Sequence, residues 1–160
     1  MQQTATEMKT TFDSTLEVGG WILLAVLWVM SLLVYQQVPD PAPIHFSFSG
    51  VITKWGHKVT LLFFPATATV IGTGLTLLCK HPSLFAPEAD NRQLFYCRRL
   101  FRWFKLSISV VFSLVLVLIY QSSLLEPVGY KQLVFPTVIA IVGLPATYYI
   151  YRILSIKKTA

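Results

Sequence analysis

The stretch VGGWILLAVLWVMSLLVYQQVP, from Val18 to Pro39, runs 22 residues without a charged side chain. A helix needs roughly 20 mostly apolar residues to cross the hydrocarbon of a bilayer, because every backbone N–H and C=O must be satisfied inside the segment. Three more stretches of similar length and character follow at Val59 to Cys79, Leu106 to Leu125 and Gln132 to Tyr151. The sequence therefore predicts an all-α integral membrane protein with four transmembrane helices.

We place the spans at about residues 18–37, 59–79, 106–125 and 132–153 of a single membrane domain, 1–160. The composition agrees, since 54% of the 160 residues are hydrophobic and 12% are charged, which leaves no room for a sizeable soluble domain. Met1 to Glu17 carries three acids against Lys9, and no small-residue cleavage site follows the first span. That pattern is unlike a signal peptide, so we expect the first span to remain as an anchor.

The lysines and arginines are distributed unevenly between the two sides of this arrangement. Ten lie in the N-terminal segment, the middle loop and the C-terminal segment, against three in the other two loops. Positive charges near span ends stay in the cytoplasm, so the bias predicts that both termini and the middle loop are cytoplasmic and that the first and third loops lie outside. The net charge of +6 is then a topology signal, and we expect no nucleic-acid partner. Cys79 and Cys97 fall on the reducing side, where free thiols are expected.

The first loop, residues 38–58, has the pattern of a structured segment. Prolines at alternate positions, Pro39 to Pro43, forbid a helix, and apolar residues then alternate with polar ones from Ile44 to Ser49. Gly50 permits a turn, after which Val51 to Trp55 can pair back as a hairpin. We expect Phe46, Phe48 and Trp55 to lie at the membrane surface.

This loop resembles that of the SdpI-like bacterial membrane proteins, whose pattern is roughly P-D-x-I-P-x-H-[FW]-x-x-x-G-x-x-D-x-[WY]-G-x-K. The resemblance extends over about Gly20 to Cys79, with Ala42 in place of an aliphatic residue and Thr53 in place of an aspartate. The matching positions are Pro39, Asp40, Pro43, His45, Phe46, Gly50, Trp55, Gly56 and Lys58.

The resemblance implies an immunity or signalling protein of the bacterial inner membrane, whose outer loop recognises a peptide toxin or another envelope component. One alternative is a small accessory subunit of a membrane transporter or signalling complex. Another is a metal-dependent envelope enzyme, since Asp40, His45 and His57 lie within 18 residues, although their spacing matches no standard metal motif. The plainer interpretation of His45 is hydrogen bonding to backbone carbonyls of the loop. No catalytic motif is present, so we predict neither an enzyme nor a cofactor.

Residues 88–105 form a second candidate site, predicted as an amphipathic interfacial helix before the third span. At about 100° per residue its basic side chains fall within one arc of roughly 140°. They suit anionic lipid headgroups, or a cytoplasmic partner of the kind the resemblance implies. The set consists of Arg92, Arg98, Arg99, Arg102 and Lys105.

The four apolar stretches contain no ionisable acid, base or histidine, which argues against a pump or an ion-coupled transporter. Pro65, Pro136 and Pro145 are expected to free helix carbonyls that neighbouring hydroxyl groups can satisfy. Gly72 and Gly74 are expected to form a small-residue face for helix packing.

Overall fold

The computed structural model describes residues 11–47, 51–81, 84, 89–124 and 131–156, with the backbone alone at 131 and 132. Four of its helices are long and apolar enough to cross a bilayer, which confirms the predicted all-α membrane class. Gly50, Phe48 and residues 85–88 lie outside the described residues, as does Leu125.

The described residues form four α-helices, with a small hairpin and a 3-10 helix between the first two. They are α1 (Thr11–Gln37), β1 (Ala42–Phe46), β2 (Ile52–Gly56), a 3-10 helix (Lys58–Leu62), α2 (Phe63–Lys80), α3 (Asn91–Ser123) and α4 (Lys131–Ser155). The 3-10 helix leads directly into α2, so the second span begins close to the predicted residue 59.

Two helices are longer than the apolar stretches that predicted them. α1 begins at Thr11 and includes Asp13 and Glu17, seven residues before the charge-free window. α3 has 33 residues, so the predicted interfacial helix and the third span form one continuous element about 50 Å long. No glycine or proline interrupts it, and Asp90 with Gln93 forms a capping box at its start.

Successive α-helices along the chain run in opposite directions. α1 and α3 run the same way, since Asp13 contacts Arg99 near both helix starts. α2 runs against α1, because Thr76 reaches Glu17 whereas Thr69 bonds with Trp28. The C-terminal end of α4 returns to the start of α3, where Gln93 Nε2 donates to the Ile156 carbonyl at 3.4 Å. We call this the charged end of the bundle, and the opposite end the hairpin end.

The core lies between α1, α2 and α3 and reaches into the hairpin. Leu27, Leu61, Leu116 and Ile119 have no exposed surface, and Ala42 of β1 belongs to the same cluster. Buried serines of α3 at 107, 109 and 122 add small side chains to its inner face. This distribution is typical of membrane bundles, where lipid covers the apolar exterior and small residues allow helices to approach.

The predicted hairpin region contains two antiparallel strands, although the first begins earlier than the alternation suggested. Pro43 lies opposite Trp55, and Phe46 lies opposite Ile52, with irregular register on both sides of His45. A proline is tolerated there because the strand is at the edge of a two-stranded sheet. The bond between Asp40 and Pro41 is cis.

α4 packs against α3 through a carbonyl that a proline leaves without its helical donor. Pro145 has no N–H to give to Ile141, four residues earlier. Trp103 Nε1 of α3 donates to the Ile141 oxygen at 3.1 Å, and the Ser107 hydroxyl lies at 3.5 Å. A neighbouring hydroxyl was predicted to meet such a carbonyl, but the shorter bond comes from an indole that the sequence pattern did not indicate.

We expect Trp103→Phe to lower the free energy of unfolding by about 1 kcal/mol, because the Ile141 carbonyl loses its better donor in a bilayer. In a Pro145→Ala background the loss should shrink, since the new backbone N–H can satisfy the same carbonyl. Denaturant titration in micelles measures both. Trp28→Phe is the matched control, because its indole bonds to Thr69 at 3.1 Å and should be insensitive to Pro145. An equal loss at Trp103 in both backgrounds would contradict the assignment.

Candidate functional site

Asp40 joins the base of the hairpin to the start of the second span. Its carboxylate lies 3.1 Å from His57 Nε2, and it accepts the Lys58 backbone N–H at 3.3 Å. His57 Nδ1 accepts the Val59 N–H at 3.3 Å, so the proton of a neutral His57 is assigned to Nε2, facing Asp40. His57 is thereby the N-cap of the 3-10 helix.

His45 has a different partner, on the facing strand. Its Nδ1 lies 2.7 Å from the Thr53 hydroxyl, so the imidazole bonds a side chain and not the backbone carbonyls that the sequence suggested. Thr53 is the position where the resembling family has an aspartate, and a hydroxyl can still bond the ring. Asp40 and His57 meet while His45 bonds elsewhere. Within the described part of the chain, no three His, Cys, Asp or Glu residues are placed to hold a metal ion.

The two strands of the hairpin differ in burial. Ala42 and Pro43 of β1 are buried against the bundle, and the partly buried Phe46 packs on the core. In β2, Thr53, Lys54 and Trp55 are exposed, with 48% of Trp55 accessible. We therefore call β1, which packs against the bundle, the anchored strand, and β2, which is exposed, the presented strand.

Two further motif residues have roles the sequence did not predict. Gly56 lies close under the Ile44 side chain: a Cβ there would be 2.5 Å from Ile44 Cδ1, so any larger residue would have to displace that side chain. The Lys58 ammonium lies 4.8 Å from the centre of the Tyr35 ring, a cation–π contact that ties the second span to the end of α1. Pro39 is an exposed residue between α1 and the hairpin.

At the charged end, two acids of α1 meet three cations of α3, in what we call the ionic cluster. Arg99 donates to both oxygens of Asp13, at 2.9 and 3.4 Å, and Arg102 Nη1 lies 3.2 Å from the same carboxylate. The side chain of Asp13 is 2% exposed. A buried carboxylate is costly without partners of this kind. The pairing of Asp13 with two arginines therefore holds the start of α1 against α3. The cluster consists of Asp13, Glu17, Arg99, Arg102 and Lys105.

Glu17 is the second carboxylate of the cluster and contacts groups from α1, α2 and α3. The Lys105 ammonium contacts Glu17 Oε1, and the indole N–H of Trp21 donates to the same oxygen at 3.2 Å. Thr76 of α2 lies 3.2 Å from both the Glu17 oxygen and the Lys105 nitrogen, which brings the second span into the network. Three helices therefore meet at one ion pair.

Two glycines make room for the lysine stem. A Cβ on Gly20 would lie 2.6 Å from Lys105 Cε, and one on Gly72 would lie 3.3 Å from Lys105 Cγ. Lys105 thus runs between α1 and α2 and is 2% exposed. Gly74 has nothing within 4 Å, so only Gly72 of the predicted pair serves packing.

The basic residues predicted to lie in one arc facing lipid or a partner have different surroundings, and Arg99, Arg102 and Lys105 pair within the bundle. Their side chains turn towards the α1 carboxylates, because α1 extends far enough to bring acids alongside them. Arg92 is exposed as expected. Arg98 is partly buried, and its Nε has no hydrogen-bond partner among the described residues.

Sequence reasoning missed Asp13, Glu17, Gly20 and Thr76. A signal was present: acids four residues apart on α1 match cations three residues apart on α3, so each series lies on one helix face. This spacing did not predict the ion pairs because Asp13 and Glu17 were assigned to the segment before the first span.

Comparison with known proteins bears on the hairpin end. Residues 22–69 match a family model described as a domain of unknown function (DUF1648). The chain itself, with its four apolar helices, is a multi-pass membrane protein. An uncharacterized protein of Archaeoglobus fulgidus is 32% identical over 59 residues, which are 37% of this chain and 32% of that protein. The match thus spans about a third of the relative's length. No solved structure matches the chain.

The matched segment contains most of α1, the whole hairpin and the first turns of α2. It excludes all five members of the ionic cluster. The likeness therefore concerns the hairpin and its supports, and membership of the SdpI-like family stays a prediction.

For the ionic cluster, we predict that Lys105→Met lowers the free energy of unfolding by about 3 kcal/mol or more, because Glu17 is left without its buried cation. Adding Glu17→Gln should recover most of the loss, since the methionine stem fills the same gap, the carboxylate that lost its lysine is gone, and Arg102 keeps Asp13 as its partner. Denaturant titration of both variants measures the difference. Lys54→Met, at an exposed hairpin lysine, should change stability little. A double variant no more stable than Lys105→Met would contradict the role given to this ion pair.

Proposed function

We propose that the protein is a bacterial plasma-membrane protein of the immunity or signalling type, which recognises a peptide toxin or another envelope component through its hairpin. The observation that carries the proposal is the difference in burial between the two strands of the hairpin. β1 is packed into the bundle with Ala42 fully buried, while β2 presents Thr53, Lys54 and Trp55.

The hairpin is joined to the bundle through β1 and through its base. An isolated two-stranded hairpin is marginal in water, but here Ala42 and Leu61 extend the membrane core beneath it. Asp40 fixes the other side through His57 and the Lys58 backbone. A partner that binds such a surface spends little free energy on ordering it, which favours recognition.

The chemistry of the presented strand suits a peptide or another amphipathic partner. Trp55 offers a large exposed ring and Lys54 an exposed cation on β2, while Val51, just before the strand, is 61% exposed. Tryptophan is enriched among the residues that dominate binding energies, because it buries a large area with few rotamers to fix.

The proposed orientation places the hairpin outside the cell and both termini in the cytoplasm. Arg99, Arg102 and Lys105 pair with the two α1 carboxylates, and the charge bias persists even when all three are left out. Seven lysines and arginines then remain on the charged side, from ten less three, against three on the hairpin side. The bias keeps its direction.

Cysteine labelling tests this orientation. In a background with Cys79→Ser and Cys97→Ser, we expect Lys54→Cys to react with an impermeant maleimide in spheroplasts. Arg92→Cys, at the exposed start of α3, should react only after lysis, because the reagent does not cross the bilayer. The reverse pattern would place the hairpin in the cytoplasm and remove its access to an envelope ligand.

Recognition itself is tested by expressing the protein in a host sensitive to candidate envelope toxins. We expect the wild type to raise survival, and Trp55→Ala to reduce that protection at least tenfold, because the largest exposed side chain of β2 is removed. Survival is measured at matched membrane levels of each variant. Tyr151→Ala is the control, since Tyr151 is an aromatic residue of α4 that is 68% exposed.

Two outcomes would count against recognition through β2. Protection that survives Trp55→Ala unchanged would show that the presented strand is not the contact. An absence of protection against every toxin tried would leave immunity without support. Purification with a stoichiometric partner would then favour the accessory-subunit alternative.

A further inference from the structure

The ionic cluster lies at the boundary between the apolar spans and the headgroup layer. Glu17 immediately precedes the charge-free stretch of α1, and Lys105 immediately precedes that of α3. Because α1 and α3 run in the same direction, both boundaries fall at one end of the bundle. The headgroup layer of a membrane is rich in phosphate, and anionic lipids give it a net negative potential.

The cations of the cluster are arranged as they would be around a phosphate. Arg99 binds Asp13 through two nitrogens, and Arg102 shares one of the same oxygens. Carboxylate and phosphate present oxygens to a guanidinium in a similar paired geometry. Asp13 thus occupies a position that a lipid phosphate would fit.

The cluster carries one positive charge in excess, which attracts anionic headgroups to this end of the bundle. Three cations face two carboxylates within the cluster. One turn away, Arg98 has a buried Nε with no hydrogen-bond partner among the described residues. Lys105 is set apart from these arginines because its stem is enclosed by Gly20 and Gly72.

We infer that Asp13 masks an anionic-phospholipid site formed by Arg98, Arg99 and Arg102. In the structure described, the α1 carboxylate fills the site from within the protein. When the first turns of α1 move away, the headgroup phosphate of an anionic lipid takes its place on the two paired guanidinium groups. The N-terminal end of α1 and the lipid therefore compete for one set of donors, and Glu17 with Lys105 holds α1 near the site.

The test compares Asp13→Asn with the wild type in nanodiscs of phosphatidylcholine alone and with phosphatidylglycerol. The variant should melt about 10 °C below the wild type in phosphatidylcholine, because two buried arginines lose their charged partner. Phosphatidylglycerol should restore at least half of that difference, while the wild type should respond little. Native mass spectrometry should show more phosphatidylglycerol retained by the variant.

Three controls separate this headgroup site from a general effect of lipid charge and from a site for soluble anions. Asp40→Asn removes an acid at the hairpin end, and its melting should depend no more on the lipid than the wild type does. Adding Arg99→Gln and Arg102→Gln to Asp13→Asn should abolish the response to phosphatidylglycerol, since the receiving groups are gone. Inorganic phosphate added to phosphatidylcholine nanodiscs should not restore stability.

Several results would overturn the inference. Equal destabilisation of Asp13→Asn in both lipids, or failure to fold in either, would show that a headgroup cannot replace the carboxylate. Rescue by inorganic phosphate alone would identify a soluble-anion site. A response that persists without Arg99 and Arg102 would place the lipid elsewhere.

Discussion

The contact between Glu17 and Lys105 decides how three of the four helices stand against one another. A lysine enclosed at the edge of the hydrocarbon is costly unless its ammonium meets a carboxylate and further hydrogen-bonding groups. Glu17 of α1 and Thr76 of α2 provide those partners, and Gly20 and Gly72 leave the space that the stem requires. The positions of α1 and α2 around α3 are therefore coupled: moving either helix would remove a partner from the lysine or close the gap around it.

The two ends of the bundle are stabilised by different interactions, ion pairs at one and apolar burial at the other. At the charged end, ion pairs take the place of apolar burial, and Asp13 with Arg99 extends them by one turn. At the hairpin end, buried Ala42 and Leu61 continue the apolar core beyond the helices. If a headgroup replaces Asp13 as we infer, the charged end responds to the composition of the headgroup layer, while the hairpin end depends mainly on packing.

The sequence was sufficient for the class of the fold and for the hairpin region, because both depend on local periodicity. Charge-free length predicts spans, and alternation after Pro43 predicts strands, whatever the rest of the chain does. The ionic cluster depends instead on which helices are neighbours. A helical wheel of α3 places Arg99, Arg102 and Lys105 together correctly, but it cannot show that Asp13 and Glu17 lie beside them. The same limit applies to Trp103, whose partner at Ile141 is fixed by the approach of α4 and the missing N–H of Pro145.

Both candidate sites share the same two helices, and this restricts how one could influence the other. α1 runs unbroken from Asp13 to Tyr35, where the Lys58 ammonium stacks, and α3 carries the cations at one end and contacts β1 towards the other. A ligand on the hairpin could therefore reach the charged end by sliding or tilting α1 against α3. Helix shifts at packed interfaces are of the order of 1–2 Å. A displacement of that size would break a 2.9 Å contact between Asp13 and Arg99, because an ion pair held by hydrogen bonds tolerates little lengthening. Apolar packing in the core cluster, to which Leu27 of α1 and Leu116 of α3 both belong, is less directional and opposes such sliding far less. The ion pairs would therefore be the first contacts between α1 and α3 to break when a ligand moves the hairpin.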